Sequence, residues 1–488
     1  MSRSAIIWFR NDLRLRDNPA LQAALKAGLA PLPVYIHSPQ EEGDWMPGAA
    51  SNAWRQRSLE ALDVDLRQRG SRLHVFAGDS LATLRTIAAA SGAEAVFWNR
   101  RHEPAVDARD AHVRRELRRH GLRAEAYNGS LLFEPWQLHT RAGDPFRVFT
   151  PFWKAALTAW DPPATQPAPT TLPGFDALPG EIVPEPVPAW GGAFWHHWAP
   201  GEQGAAAELE AFAATALRTY TDGRDRPDRA LTSWVSPHLH FGEIAPWRIV
   251  EALDHIDPPD QRAAFVRQLG WREFAHHVLH HFPHTADANF NPRFDDFDWA
   301  EPSPEVLQAW QRGQTGVPIV DAGMRQLWAT GWMHNRVRMI VASLLTKNLR
   351  IHWRHGARWF WDSLVDADLA NNSLAWQWVA GTGVDAAPYF RVFNPVLQAR
   401  KFDPHGDYIA RWVPELRALP ARWRHAPWEA GADREVIADY PSQPLVDLGA
   451  SRRDALAKFA KLKARQATAA SRPALAHDNR GRGFDCPV

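Results

Sequence analysis

The sequence predicts an α/β N-terminal domain, with a five-stranded parallel sheet and flanking helices, followed by an all-α C-terminal domain. First, short apolar runs alternate with helical segments through the first third of the 488 residues. Second, prolines crowd residues 160–200, which therefore cannot form long helices or central strands. Third, helical spacing alone then continues to about residue 463. We expect the α/β domain at 1–130, a connector at 131–200, the helical domain at 201–465 and a flexible tail at 466–488.

Each predicted strand is a short run rich in β-branched and aromatic residues. In order, the strands are SAIIWF, LPVYIH, RLHVFAG, AEAVFWN and the weaker RAEAYNG. Helices lie between them, the first with Asn18 as its N-cap and Pro19 in its first turn. This alternation favours right-handed crossovers, which place helices on both faces of the sheet. No glycine-rich phosphate loop follows the first strand, so we expect no standard dinucleotide site there.

The bulk composition excludes several classes of protein. The formal net charge is +1, so any surface for nucleic acid must be a local patch. One cysteine, Cys486, cannot build a disulfide framework, a cysteine zinc site or an iron–sulfur cluster. We expect no secretory signal and no membrane span, and therefore a cytoplasmic protein. The 25 tryptophans fit a bulky core, or alternatively stacking and redox roles for some of them.

Residues 265–274 form a predicted helix with an unusual face. Phe265, Gln268, Trp271 and Arg272 recur at spacings of three and four and so share one side of the helix. Two aromatics with an arginine and an amide make a poor core stripe, so this face is a candidate pocket wall.

Residues 220–242 offer small hydroxyl side chains that lead into a helix start. Thr232, Ser233 and Ser236, with their backbone N–H groups, suit a phosphate or pyrophosphate. Ordinary turn and capping chemistry is the alternative interpretation.

Residues 332–361 interleave basic and aromatic side chains. This pattern suits a phosphate backbone with stacked or extruded bases, and a solvated basic face over core aromatics is the alternative. The basic residues are Arg336, Arg338, Lys347, Arg350, Arg354 and Arg358, among Trp332, Trp353, Trp359 and Trp361.

Asp366 and Asp368 precede Asn372, Trp376 and Trp378 in a further predicted helix. The paired aspartates could be metal ligands, a general acid/base pair, or acceptors for ribose and heterocycle N–H groups. No histidine lies at ligand spacing from them, which argues against a transition metal. Helix capping is the ordinary alternative.

Five motifs, in order along the chain, resemble the photolyase/cryptochrome family. They are WFRNDLRLRDNPAL, GRDRPDRALTSWVSPHLHFGEI, WREF, TGVPIVDAGMRQLWATGWMHNRVRMIVASLLTKNL and DADLANNSLAWQWVAGTGVDAAPYFRVFNP. The chain resembles most the class I cyclobutane pyrimidine dimer photolyases, over about residues 4–465. The resemblance implies a blue-light flavoprotein, a monomeric carbon–carbon lyase acting on UV-damaged DNA. Excited reduced FAD would transfer an electron to a flipped-out cyclobutane pyrimidine dimer and split it.

The resemblance also implies where FAD binds in the helical domain. Arg338 and Asp366 would form an ion pair beside the isoalloxazine. Asp368 would accept a hydrogen bond from the ring or ribitol, and Asn372 would face flavin N5. The implied FAD contacts are Tyr220, Thr232, Ser233, Trp234, Val235, Ser236, Arg272, Asn335, Arg338, Asp366, Asp368 and Asn372.

Three tryptophans match the family's chain for flavin photoreduction. From the flavin outwards these are Trp376, Trp353 and Trp299. An antenna chromophore, methenyltetrahydrofolate or a deazaflavin, is also implied in the N-terminal domain. Glu103 matches a folate-contacting position there, or is an acid in the first turn of a helix.

The implied substrate pocket contains one departure from the family. Trp271 and Trp378 match its walls, and Asn335 and Met339 its floor. Dimer photolyases carry an acid where this chain has Gln268, which can hydrogen-bond but cannot supply a carboxyl proton. Six-four photolyases carry glutamine there, together with two histidines where this chain has Asn335 and Met339. We therefore expect dimer repair of reduced efficiency, with Gln268, Asn372 and the three tryptophans as catalytic residues.

Two other functions compete with repair. The first is a cryptochrome-like blue-light photoreceptor with little or no repair activity, which needs only FAD, the tryptophan chain and a partner. The second is a helical nucleic-acid binder without a cofactor, which a colourless purified protein would indicate.

Overall fold

The first third of the chain forms a five-stranded parallel sheet, which confirms the predicted fold class. The computed structural model describes residues 3–182, 194–386, 390–437 and 439–470. The strands are β1 Ser4–Phe9, β2 Ala30–His37, β3 His74–Ala77, β4 Ala95–Asn99 and β5 Arg123–Tyr127. Their spatial order is β3-β2-β1-β4-β5, so the winding direction changes at β1.

Burial explains the sequences of the central strands. All six residues of β1 are buried, as expected for a strand with neighbours on both edges and helices on both faces. β1 pairs with β2 from Ser4 opposite Ala30. Pro31 and Pro33 cannot donate ladder hydrogen bonds, but they precede Val34, where the pairing of β2 with β3 begins. They therefore lie where β2 has a single partner strand.

Four helices alternate with the strands. The first begins as predicted, because the Asn18 side chain accepts a hydrogen bond from the Leu21 N–H at 3.1 Å and Pro19 is the first helical residue. The helices are α1 Pro19–Lys26, α2 Ala49–Arg67, α3 Ser80–Ser91 and α4 Pro104–Arg119.

The connector predicted at 131–200 contains a helix of its own, α5 Phe149–Thr158. Phe149, Phe152 and Trp153 are buried within it at helical spacing. The proline-rich stretch begins only after this helix, so the predicted connector contains a helix first and a proline-rich stretch second. Residues 183–193 of the connector lie outside the described residues.

The described chain after residue 194 is helical, apart from one isolated bridge between Ala300 and Ile351. Two large apolar cores hold these helices together, one centred on residues 318–380 and the other on residues 149–158 and 246–281. The bounds are α6 Glu202–Ala214, α7 Tyr220–Gly223, α8 Ser236–His240, α9 Pro246–Leu253, α10 Pro259–His281, α11 Pro304–Gln311, α12 Pro318–Thr330, α13 Asn335–Ser343, α14 Trp353–Ser363, α15 Leu369–Ala380, α16 Pro395–Phe402, α17 Asp407–Trp412 and α18 Leu448–Ala470.

The tail predicted at 466–488 begins inside α18, which continues to Ala470. Residues 471–488, with Cys486, lie outside the described residues. Among the helices of the described ranges, none has the length and apolar character needed to cross a membrane.

Candidate active site

The unusual face of α10 packs against α5 and α7. The Trp271 ring stacks on Phe149, with centroids 3.8 Å apart and planes within 8°, so one of its faces is covered. The Gln268 Oε1 accepts a hydrogen bond from the Arg224 guanidinium at 2.9 Å, and its Nε2 donates to the Ala264 carbonyl at 3.1 Å. Because Arg224 can only donate, its contact fixes which end of the amide is the oxygen. Arg272 donates to the Ser130 carbonyl at 2.8 Å.

An ion pair joins three segments of the helical domain. Arg338, on α13, lies 2.9 Å from Asp366, in the loop before α15. The Ser236 hydroxyl, at the start of α8, donates to the same carboxylate at 2.7 Å. Arg338 also donates to the Met333 carbonyl at 2.7 Å, which fixes the guanidinium. The ion pair expected from the sequence is therefore present and is braced on both sides.

The segment from Thr232 to Ser236 approaches this ion pair along an irregular backbone. Trp234 has a φ of 55°, in the left-handed region that few non-glycine residues adopt, and its ring stacks on Trp332 at 4.3 Å. Thr232 and Ser233 are half-buried, and Val235 is buried. Such strain is retained where the surroundings over-determine the backbone, as at a ligand site.

Tyr220 packs in the core at the edge of this region. Its ring contacts Phe212 and Phe265 at 5.8 and 5.4 Å, and the Arg224 guanidinium lies 5.4 Å from its centroid. Burial raises the pKa of the Tyr220 hydroxyl, so the phenol is neutral at physiological pH.

Asp368 is the N-cap of α15 and is held in its charged form. Its Oδ1 accepts hydrogen bonds from the Asn371 backbone N–H at 2.8 Å and from the Asn371 side chain at 2.6 Å. Its Oδ2 lies 3.3 Å from the His276 Nε2. Burial opposes ionisation, but the interactions with His276 and Arg272 outweigh it and hold the pKa of Asp368 well below its ordinary value.

The aspartates do not form a metal centre in the part of the chain that the structure describes. No group of three or more His, Cys, Asp or Glu side chains there is arranged to hold an ion. Asp366 is instead bound to Arg338, and Asp368 caps a helix and contacts His276. Charge pairing therefore accounts for Asp366, and helix capping together with the contact to His276 accounts for Asp368.

The first two tryptophans of the predicted chain are deeply buried. Trp376 is 2% exposed and packs on Phe360 at 5.0 Å and against Gly356. Trp353 is fully buried, and its Nε1 donates to the Asn289 Oδ1 at 2.8 Å. Both belong to the same apolar core.

Trp299, the predicted outer member, is half-buried and is linked to Trp353 through an imidazole. The His352 ring lies 4.9 Å from the Trp299 ring and 5.5 Å from the Trp353 ring. The backbone bridge between Ala300 and Ile351 holds the two segments side by side. Aromatic groups thus continue from the core to the surface.

The remaining predicted residues differ in exposure. Asn372 is 8% exposed, and its amide donates to the Ala357 carbonyl of α14 at 3.0 Å. Trp378 and Met339 are half-buried, while Asn335 is exposed as the first residue of α13. The structure therefore leaves Trp271, Trp378 and Met339 partly accessible, as residues that contact a ligand must be.

Lys347 corrects our interpretation of the basic segment. It lies in the π-helical turn Leu344–Asn348, which directs it inward, and it is fully buried. Its Nζ donates to the Ala380 carbonyl and lies 3.2 Å from the Phe390 ring centroid. Burial lowers its pKa well below the ordinary value. Lys347 therefore cannot contact a phosphate backbone.

Glu103 immediately precedes α4, and its carboxylate makes no capping hydrogen bond. It pairs with Arg101 at 2.8 Å, and the same guanidinium pairs with Glu42 at 2.8 Å. Burial opposes the charge of Glu103, but Arg101 outweighs it and lowers the pKa of Glu103 to about 2. Glu103 therefore belongs to a partly buried cluster of charges rather than to the capping of α4.

Sequence reasoning missed two residues at the site. His276 is 6% exposed and contacts Asp368, and neither of its ring nitrogens makes a hydrogen bond. Arg224 orients Gln268 from a segment 44 residues earlier. The run AHHVLHH did place a histidine one helical turn beyond Arg272, and that spacing was the available signal.

The residues present fit an FAD molecule. Arg272 and Arg338 supply guanidinium groups for phosphate and ring oxygens, and Ser236 supplies a hydroxyl beside a helix start. Ionised Asp368 supplies an acceptor for a ring or ribitol N–H or O–H. The buried His276 nitrogens without hydrogen bonds lie beside that acceptor, on the same side of α10 as Arg272.

Comparison with known proteins places this chain in a family. Residues 5–171 match the family described as DNA photolyase, and residues 265–461 match the FAD binding domain of DNA photolyase. The chain is 45% identical to a deoxyribodipyrimidine photo-lyase of Agrobacterium fabrum over 94% of this chain and 98% of that protein. It is 34% identical to Cryptochrome-1 of Arabidopsis thaliana over 94% of this chain and 71% of that protein.

A solved structure shares the whole fold. A bacterial class III photolyase from Agrobacterium tumefaciens superposes with a TM-score of 0.88 at 43% identity, over 95% of this chain and 98% of that one. That relative is described as class III, so the class I branch expected from the motifs stays a prediction. The chain belongs to the photolyase/cryptochrome family and carries its FAD-binding domain.

Proposed function

We propose that this protein is a light-driven DNA photolyase that binds FAD and splits cyclobutane pyrimidine dimers in UV-damaged DNA. The observation that carries the proposal is the braced Arg338–Asp366 ion pair beside Ser236, with ionised Asp368 nearby in sequence and two partly accessible indoles, Trp271 and Trp378. Charged groups suited to a flavin and aromatic surfaces suited to unstacked bases thus occur in one domain.

Each side chain has a defined task in this proposal. FAD supplies the light absorption and the electron-transfer chemistry when it is bound. Arg272 and the segment from Thr232 to Ser236 hold its phosphates, and Asp368 accepts a hydrogen bond from its ring or ribitol. Trp271 and Trp378 offer planar surfaces to the two pyrimidines, with stacking worth about 1–3 kcal/mol per base.

Gln268 recognises the dimer as a hydrogen-bond donor. Its oxygen is held by Arg224 and one of its amide hydrogens by Ala264, which leaves its second N–H for a pyrimidine carbonyl. An amide cannot release a proton to the dimer when the dimer gains an electron. We therefore propose that binding is retained and that the yield per absorbed photon is lowered.

The test uses the holoprotein with its flavin reduced. A synthetic oligonucleotide with one thymine dimer is illuminated with blue light, and restored thymines are counted by chromatography. Light-dependent restoration supports the proposal, and its absence while the flavin stays reduced would refute it.

A cryptochrome-like photoreceptor is the second candidate, favoured by the likeness to Cryptochrome-1 over most of this chain. Both functions need flavin photoreduction through Trp376, Trp353 and Trp299, which we propose as the electron path. Photoreduction without thymine restoration, together with equal affinity for damaged and undamaged duplexes, would favour the photoreceptor.

Three further properties complete the proposal. The FAD domain would span 201–465. The protein would act in the cytoplasm and would be a monomer, and light scattering can check the monomeric state. An antenna chromophore, either methenyltetrahydrofolate or a deazaflavin, would bind the N-terminal domain beside Glu103. An absorption band in the purified holoprotein beyond those of FAD would support the antenna, and Glu103→Gln should then reduce that band alone.

A further inference from the structure

A groove lies at the surface between α11 and α14, at the outer end of the aromatic series. It encloses about 580 Å³, within the usual range of small-molecule sites. Leu307 and Gln311 form one side, and the other side comes from α14 and its N-cap. Those lining residues are His352, Arg354, His355, Arg358 and Trp359.

The permanently charged side chains that line the groove are both arginines, while acidic groups outside the lining lie near Arg358 and His355. Of the described residues that line it, none is acidic, and the arginine side chains Arg354 and Arg358 are exposed. Arg358 also lies 3.9 Å from the Trp45 ring and 3.4 Å from Asp287, which fixes it at the rim. An anionic group is therefore favoured, and arginine guanidinium groups suit phosphates in particular.

His352 lines the groove and carries a ring N–H. Its Nδ1 accepts from the Arg354 backbone N–H at 3.3 Å, so the ring proton lies on Nε2. Burial lowers the pKa of His352 to about 4 and also lowers the pKa of His355, where Glu301 opposes the shift and Arg354 adds to it. Both imidazoles are neutral at pH 7, and the arginines supply the charge.

The groove also has a flat aromatic wall. The Trp359 ring lies parallel to that of Trp328, with planes within 6° and centroids 6.1 Å apart. Because the rings support each other, an aromatic ligand can stack on Trp359 with little reorganisation. A ligand that combines a planar ring with phosphate groups would match both halves of the groove.

The position of the groove suggests why such a ligand would bind. A ligand that contacts His352 would be separated from both tryptophans by that imidazole ring alone. The centroid of the His352 ring lies 4.9 Å from that of Trp299 and 5.5 Å from that of Trp353. These are the outer two members of the proposed electron path. An indole that has lost an electron to the flavin must recover one from outside the protein.

We propose that this groove binds an anionic aromatic reductant of the reduced nicotinamide nucleotide class, which returns electrons to the tryptophan chain. This inference rests on the proposed flavin photoreduction. One electron passes from the reduced nicotinamide to the oxidised indole, which becomes neutral. The nicotinamide, oxidised by one electron, releases its ring proton to water and gives its second electron to a chain oxidised by a later photon. No bond to the protein forms or breaks.

Binding is tested in the dark, by calorimetry of the holoprotein with NADPH and with redox-inert NADP⁺. Arg354→Gln should raise both dissociation constants about tenfold at low salt. The control, Arg85→Gln, changes an exposed arginine on α3 and should alter neither. Absence of binding, or equal binding by Arg354→Gln and wild type, would overturn the site.

Photoreduction then tests the reductant role, with neutral dithiothreitol as the comparison donor. The initial rate should saturate with NADPH, and NADP⁺ should inhibit it competitively while leaving the dithiothreitol rate unchanged. Arg354→Gln should lower the ratio of the NADPH rate to the dithiothreitol rate about tenfold at subsaturating NADPH. Trp299→Phe should bind NADPH normally but lose its NADPH-driven rate.

The outcomes separate this inference from the proposed function. Photoreduction by dithiothreitol that NADPH cannot replace would overturn the reductant role and leave the photolyase proposal standing. Failure with every donor would overturn the tryptophan chain and the reductant role together, and the dark titration would still decide whether the groove binds nucleotides.

Discussion

Gly356 sets the position of Trp376, and adding one methyl group there should disturb both packing and photoreduction. A Cβ built on Gly356 would lie 2.6 Å from the Trp376 Cζ2 and closer still to the neighbouring ring atoms. Ordinary van der Waals contacts start near 3.4 Å and the nearest ring atom, Cη2, would lie at 2.1 Å, so the indole or α14 would have to shift by more than an ångström. Trp376 is 2% exposed, which leaves it little room to move.

Two opposing contributions give the expected size of the effect. Replacing a helical glycine with alanine stabilises a helix by about 0.8–1.0 kcal/mol. Overpacking of a tight core costs about 1–3 kcal/mol. Because the nearest ring atom would lie at only 2.1 Å, the upper end of the overpacking cost applies. Gly356→Ala should therefore lower the free energy of unfolding by about 2 kcal/mol, seen as a lower urea midpoint without a change in slope.

Two variants make this test specific. Gly449→Ala, at a helical glycine whose added Cβ would meet nothing nearer than 3.4 Å, should be neutral or stabilising. Trp376→Phe removes the indole atoms that clash, so the Gly356→Ala penalty should shrink in that background. Flavin photoreduction should also be slower in Gly356→Ala. Full stability of Gly356→Ala, or an equal penalty in both backgrounds, would refute the packing argument.

Three further substitutions test other parts of the site. Gln268→Glu should raise the thymine restored per absorbed photon at unchanged FAD content, because a carboxyl group with one oxygen held by Arg224 can offer its other oxygen, when protonated, as the proton source that the amide lacks; an equal or lower yield would show that this position does not limit repair. Lys347→Met should stabilise the protein at pH 7. The native state disfavours the charged amine, so the free energy of unfolding of the wild type rises with pH up to the unfolded lysine pKa, near 10.4. This rise should appear in the urea midpoints of the wild type and should be absent from those of the variant. Asp368→Asn should weaken FAD binding about tenfold, or about 1.4 kcal/mol, measured by flavin fluorescence. The pKa of Asp368 is lower in the folded protein than in the unfolded chain. The stability that Asp368 contributes is therefore present above the ordinary aspartate pKa and is lost as the pH falls through the pKa of the folded state. The stability of the variant should not show this dependence on acid.

The fold was predictable because its signals are local. Parallel strands that are buried on both faces read as continuous apolar runs, and β1 is the clearest example, with all six residues buried. The cap at Asn18 followed from its local sequence, and the ion pair between Arg338 and Asp366 followed from the family resemblance. In each case the interacting groups are near in sequence or belong to a long recognisable pattern.

The contacts that the sequence did not reveal are tertiary. Lys347 looked exposed among basic neighbours, but a π-helical turn directs it into the core beside Ala380. Helical spacing assumes 3.6 residues per turn and so cannot anticipate that change of direction. Trp271 is likewise covered by Phe149, which lies more than a hundred residues earlier in α5, within the segment that the sequence predicts as a connector.

The orientation of Gln268 reconciles family membership with the missing acid. Arg224 holds the amide oxygen, so the nitrogen is the end left to face a substrate, and pyrimidine carbonyls require a donor. An unbraced glutamine could present either end and would recognise a dimer poorly. In the proposed reaction, this arrangement would keep hydrogen-bond donation and give up proton transfer, two duties that a protonated carboxyl would combine. Dimer affinity should therefore be less sensitive to Gln268→Glu than the yield per photon, whereas Arg224→Gln should weaken affinity by releasing the amide.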